Sequence, residues 1–160
     1  MKTLTAKFAQ TVVLLMTALS LNVFAAGLSG VDTATDRNAV ILAGHDTVAY
    51  HTQGKAVLGK ADITAVYNNA IYRFSSKGNR DRFVANPAKY APAYGGYCAL
   101  GTSFGKKFEV DGKAFEIVDG QLYVNKNRSV YKTWKKDIPG NLVKSEANWP
   151  KIRDIAADEL

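Results

Sequence analysis

The chain has one cysteine, Cys98, in the run Tyr94-Gly95-Gly96-Tyr97-Cys98-Ala99. A single thiol allows no internal disulfide, so burial and hydrogen bonding alone must hold the fold. The N-terminus sharpens this. Lys2 and Lys7 give a basic start, and Thr11 to Phe24 is mostly apolar. Val23-Phe24-Ala25 then puts small residues where a signal peptidase reads. This pattern predicts a signal peptide over residues 1–25. The apolar run is short for a membrane span, which needs about 20 residues, and no later run is long enough. The expected location is periplasmic or secreted, with no membrane span after cleavage. In such an oxidising compartment a lone thiol is a buried inert residue, an intermolecular cross-link, a metal ligand or a reactive centre.

Removing 25 of 160 residues leaves 135, enough for one domain with its own core. Loss of Lys2 and Lys7 takes the formal charge from +7 to +5, which in that compartment points to an anionic surface or partner and not to nucleic acid. Residues 26–38 are small and polar and read as a flexible N-terminal arm; 39–155 reads as a single domain. No internal repeat or low-complexity stretch is visible.

Within the domain, Gly44-His45-Asp46 predicts a bend. Ile63, Ala65 and Tyr67 alternate, Asn68-Asn69 turns, and Ile71–Phe74 returns, the pattern of a β-hairpin. Ser75 or Ser76 caps a helix running to about Ala85, stopped by Asn86-Pro87, and a second short helical turn follows over Pro87–Tyr94. Asp111-Gly112 and Asp119-Gly120 predict a three-stranded meander over Lys107–Val110, Ala114–Val118 and Leu122–Asn125. Ser129–Lys136 is expected to be helical with Val130 and Trp134 inward. Pro139-Gly140 is expected to break it before a final helix from Asn141 to about Ile155. The fold class is α+β: a small single domain of antiparallel hairpins and a meander with several short helices.

Three segments together resemble a known family. Asp46-Thr47-Val48-Ala49-Tyr50, then Tyr72-Arg73-Phe74-Ser75-Ser76, then Phe83-Val84-Ala85-Asn86-Pro87-Ala88-Lys89-Tyr90 look like a YHS domain, over about residues 44–97. With Tyr94–Ala99 and the stretch from Asp137-Ile138-Pro139-Gly140 to Asn148-Trp149-Pro150, the chain resembles a subgroup of exported YHS-domain proteins. That subgroup would account for nearly the whole mature chain. The resemblance implies metal handling, copper transporters being among YHS proteins. In the exported subgroup it implies a link to selenium, with selenocysteine at the position matching Cys98. Carried over residue by residue, the metal site fails. Where the metal-type pattern has cysteines this chain has Ala49, Ser75 and Asn79, and where it has a methionine this chain has His51. None of the three replacements supplies the soft donor that thiolate-selected ions take.

Other ligands remain as candidates: His45, His51 and Cys98 for copper or zinc, with Asp46 as a hard ligand. If 45–51 is extended, the two histidines lie about 20 Å apart, which weighs against a shared ion. As a reactive thiol, Cys98 would use Gly95 and Gly96 for close approach and a cation such as Lys106, Lys107 or a histidine to favour the thiolate. Against this, free cysteine is among the most buried residue types. A pocket for a ligand would draw on His45, Asp46, Tyr50, Tyr97 and Lys107. No Gly-x-Ser-x-Gly nucleophile signature occurs and no phosphate loop follows Gly95-Gly96. The cluster Lys126, Arg128, Lys132, Lys135 and Lys136 reads as a solvated helix face. Three expectations follow. The chain is an accessory protein binding a metal ion, a small ligand or an extracytoplasmic partner; or a thiol-dependent redox protein using Cys98; or a non-catalytic interaction domain.

Overall fold

The computed structural model describes residues 40–160, so the predicted signal peptide and the arm over 26–38 lie outside the described residues. The fold is α+β, with two antiparallel two-stranded sheets and short helices between and after them. In chain order these are α1 (Thr47–Gln53), β1 (Lys60–Tyr67), β2 (Ala70–Phe74), α2 (Lys77–Ala85), α3 (Pro87–Tyr90), α4 (Ala99–Ser103), β3 (Asp111–Val118), β4 (Gln121–Asn125), α5 (Arg128–Trp134) and α6 (Ile138–Ile152). No helix among the described residues is long and apolar enough to cross a membrane.

Two halves of the domain repeat one another, which the sequence reading did not find. Each begins with a tight turn of three successive positive-φ residues: Leu42, Ala43 and Gly44 in one, Tyr94, Gly95 and Gly96 in the other. The second residue after each turn, Asp46 or Cys98, caps a short helix with its side chain. A hairpin follows. Lys60 pairs with Phe74 and Thr64 with Arg73 across a bulge; 51 residues on, Asp111 pairs with Asn125 and Phe115 with Val124 across the same bulge. The hairpin turns, Asn68-Asn69 and Asp119-Gly120, both lie in the left-handed region that two-residue loops require. Ser76 and Asn127 then cap α2 and α5, whose inward aromatics Phe83 and Trp134 are fully buried. Within the paired turns and hairpins the identical pairs are Gly44 with Gly96 and Tyr72 with Tyr123.

The larger core joins both halves through Leu42, Val48, Tyr50, Phe74, Phe83, Cys98, Leu122 and Val124. A smaller one gathers Tyr94, Ala99, Tyr123 and Trp134 under α6. Polar side chains pin α6 to α4: Ser145 Oγ donates to the Ala99 carbonyl at 3.2 Å, and Asn148 Nδ2 to those of Thr102 and Ser103. These bonds tie α6 to carbonyls along α4, among them that of Ser103 in its last turn.

Several expectations are corrected. Residues 47–53 form a helix and not an extended segment, because the Asp46 carboxylate takes the free amides of its first turn. Lys107–Val110 is not a strand, so the meander is a hairpin; the Lys107 ammonium instead turns inward to carbonyls at the end of α6. Asp111-Gly112 lies inside β3 and makes no turn. The expected turn over Pro87–Tyr94 is two elements, α3 and the tight turn at Ala93–Gly96. Pro139 and Gly140 open α6 instead of breaking a helix, since a proline in the first turn costs no hydrogen bond and Asp137 caps it.

Candidate functional site

Three places are candidates, and the first two hold the chemistry the sequence singled out. The first is centred on Asp46, which has no exposed surface. Its Oδ1 accepts from the amides of Val48 at 3.0 Å and Ala49 at 3.2 Å. Its Oδ2 accepts from the Ser75 amide at 2.8 Å, the Ser75 hydroxyl at 2.6 Å and Asn79 Nδ2 at 2.7 Å. The three positions where the YHS-type pattern would carry cysteines, 49, 75 and 79, thus meet at one carboxylate. They do not fit a soft metal ion: their side chains offer no thiolate or imidazole, and five hydrogen bonds already use the carboxylate. The arrangement locks α1 to the β2–α2 junction.

His45 Nδ1 donates to the Leu42 carbonyl at 2.8 Å, and the ring packs against Gly112, where Tyr50 Oη donates to the Gly112 carbonyl at 2.8 Å. Burial, followed by the charges of Asp111 and Asp46, pushes the Tyr50 phenol up. His51 stands edge-on to Tyr90, with ring centroids 5.3 Å apart, and its Nε2 is buried without a hydrogen-bond partner. Burial and then the Lys89 charge hold its pKa below the ordinary 6.5. His45, His51 and Cys98 each have separate neighbours. Among the described residues no three His, Cys, Asp or Glu side chains gather closely enough to hold a metal ion.

The second place is Cys98, the counterpart of Asp46. It too has no exposed surface, and its sulfur accepts the same two backbone bonds: from Gly101 N at 3.4 Å, matching Ala49 N, and from Lys126 N at 3.3 Å, matching Ser75 N. Asn125 Oδ1 lies 3.7 Å from the sulfur and accepts from Leu100 N, while the buried Asn125 Nδ2 has no hydrogen-bond partner. Asn79 has the valine Val130 as its counterpart. Val130 leaves open beside the sulfur an apolar pocket of about 220 Å³, bounded also by Phe104, Phe108 and Lys126. Burial pushes the thiol up, against the opposing pull of its backbone hydrogen bonds and the Lys126 charge. The cation beside Cys98 is therefore Lys126, not the expected Lys106, Lys107 or histidine. Lys107 is buried, donating to the carbonyls of Arg153 at 2.7 Å and Ile155 at 2.5 Å, with the rings of Tyr97 and Trp149 beneath its ammonium. Asn125 and Lys126 were missed because only the hairpin pairing delivers them to the sulfur.

The third place was not located from the sequence, although the tyrosines are numerous enough to line a pocket. An open groove of about 550 Å³ lies between the tips of the two hairpins and the 88–94 segment that joins the halves. Its walls carry the rings of Tyr67, Tyr94, Tyr123 and Trp149. Tyr94 is central, with its ring centroid 5.8 Å from Tyr123 and 5.9 Å from Trp149, and its hydroxyl donates to Glu146 Oε1 at 2.9 Å. The charged side chains lining the groove are Asp119, at one hairpin tip, and Glu146, on α6. The only available signal was the excess of tyrosines, which sequence reasoning assigns to the core by default. Comparison with protein-family models, with curated proteins and with solved structures returned no match.

Proposed function

We propose that this chain is an exported accessory protein of YHS type that binds a small ligand without turning it over, in the groove between its hairpin tips. The observation that carries the reading is the groove itself. It is an open groove in which aromatic rings and polar groups share the walls, so that a small molecule meets both kinds of contact at once. It also lies where the two repeated halves meet. Two observations support the YHS-type reading: positions 49, 75 and 79 converge on Asp46, and the fold is α+β with paired hairpins. Export rests on the N-terminal pattern of Lys2, Lys7, the apolar run and Ala25.

A fragment screen by NMR on protein expressed from the full chain tests the binding site. Hits are expected to shift the Trp149 indole and Tyr94 resonances, and Ala88→Arg, at an exposed groove position, is expected to abolish those shifts. Hits that ignore the groove, or that survive Ala88→Arg, would remove the reading. N-terminal sequencing of the exported protein should begin at Ala26; an uncleaved Met1 would refute the signal peptide.

A second reading, a thiol-dependent redox protein using Cys98, is favoured by one observation: a pocket lined by Val130, the counterpart of Asn79, lies at the sulfur. It expects iodoacetamide to modify the native protein and Val130→Phe to block that modification. A thiol unreactive until denaturation removes it.

A further inference from the structure

The groove has a chemical sign. The chain is basic overall, with a formal charge of +7, yet the two charged side chains on the groove wall are both carboxylates. They stand on different elements, Asp119 on the β3–β4 turn and Glu146 on α6, and line the same groove as Tyr123. Its phenol is pushed up first by burial, then by the charge of Glu146 and then by that of Asp119. Between them lie the rings of Tyr94, Tyr123 and Trp149, each within about 6 Å of the next only through Tyr94. Ring faces carry negative potential and attract cations, most strongly where water is partly excluded. The protein already uses this on the far side of the same cluster, where the Lys107 ammonium lies 5.6 Å from the Trp149 ring centroid; Lys107 itself does not line the groove. An anionic ligand would meet two carboxylates and no cation. A neutral ligand would gain nothing from the charge of either carboxylate.

From this we infer that the ligand of the groove is a small organic ammonium cation, its charge lodged against the part-exposed Trp149 ring at the edge of the buried Tyr94 and Tyr123 pair and balanced by Glu146 and Asp119. The inference rests on the binding reading above. The Tyr94 hydroxyl fixes Glu146 at the rim, so the anion is held in place before the ligand arrives. Asn68 and Gln121, at the two hairpin ends, supply polar groups for the rest of the molecule.

Isothermal titration with choline, and with its neutral isostere 3,3-dimethylbutan-1-ol, separates charge from shape. Choline should bind at least tenfold more tightly than the isostere. Raising the salt from 20 to 500 mM should weaken choline severalfold, following the screening of partly exposed carboxylates. Glu146→Gln and Asp119→Asn should each cost choline threefold or more and leave the isostere unchanged. Both residues are exposed, so the variants should fold. If the isostere binds as well as choline, or if acetate binds better than either, the cation inference is overturned while the binding reading stands. If neither ligand nor any fragment reaches the groove, both fall. Flotation with phosphatidylcholine vesicles should show no association; binding to vesicles without binding to free choline would overturn the inference in favour of a lipid surface.

Discussion

Asp46 offers the sharpest test of how this fold is held. Replacing it with alanine removes a helix cap, worth about 1 kcal/mol. It also takes the acceptor from the half-buried Ser75 amide and from the buried Asn79 side-chain amide, which keeps only the longer contact to Ser75 Oγ at 3.3 Å. Each orphaned donor costs about 1–3 kcal/mol. The Ser75 hydroxyl can rotate toward another acceptor and is left out of the sum. The expected loss is about 4 kcal/mol, a large part of the 5–15 kcal/mol that stabilises a typical domain. Asp46→Asn is nearly isosteric, yet it should cost almost as much. Its Oδ1 can still accept from Val48 and Ala49, but its amide nitrogen then faces the donors of Ser75 and Asn79. Urea unfolding followed by tryptophan fluorescence measures both variants. A loss below about 1 kcal/mol for Asp46→Asn, with an unchanged denaturant slope, would refute the claim that this carboxylate is a structural lock.

Three other outcomes are expected. The pKa of His51 is lowered on folding, so the unfolded chain binds the proton first. Stability should be full above pH 6.5 and decline as pH falls through the lower folded value, and His51→Gln should flatten that decline in pH-dependent urea melts. Gly112→Ala would put a methyl 2.7 Å from His45 Nδ1 and 2.9 Å from Tyr50 Oη, costing about 1–3 kcal/mol. Gly78→Ala, whose Cβ would meet only Ser76 Oγ at an ordinary 3.9 Å, should instead stabilise by about 0.5–1 kcal/mol; thermal melts of the pair check the contrast. Lys107→Met should loosen the end of α6, read as faster amide exchange from Ile152 to Ile155 with the hairpins unaffected, because the two carbonyl bonds it removes are local to that end.

Where chemistry is local, the sequence was readable. Asn68-Asn69 and Asp119-Gly120 make the turns their residue types favour, Ser76 caps α2 through Asn79 N, and Trp134 is buried as its spacing from Val130 implied. The α1 helix was also legible in principle, since Asp before Thr-Val-Ala is an N-cap pattern, but Gly44-His45 beside it drew the reading toward a bend. The duplication was not legible. It lies in backbone angles: Leu42 and Tyr94 adopt positive φ against their own preferences, held there by the packing around them, and exposed Ala43 follows Leu42 through the turn. Two identical pairs among dozens of residues leave no signal to find.

The sequence by itself determined the class of the molecule. A single cysteine forbids an internal disulfide, alternation and turn residues dictate hairpins, and capping residues and proline bound the helices; each of these acts within a few residues of chain. Only the tertiary structure decided what the chemistry-bearing residues do. Asp46, a candidate ligand, is saturated by five donors, two of its own helix and three from a segment about thirty residues away. Cys98 sits in the matching cradle with a pocket where the other half has an amide. The aromatic groove exists because two hairpin tips and α6, separated by up to some eighty residues, close around Tyr94. Such convergence comes from long-range packing, to which spacing along the chain is blind.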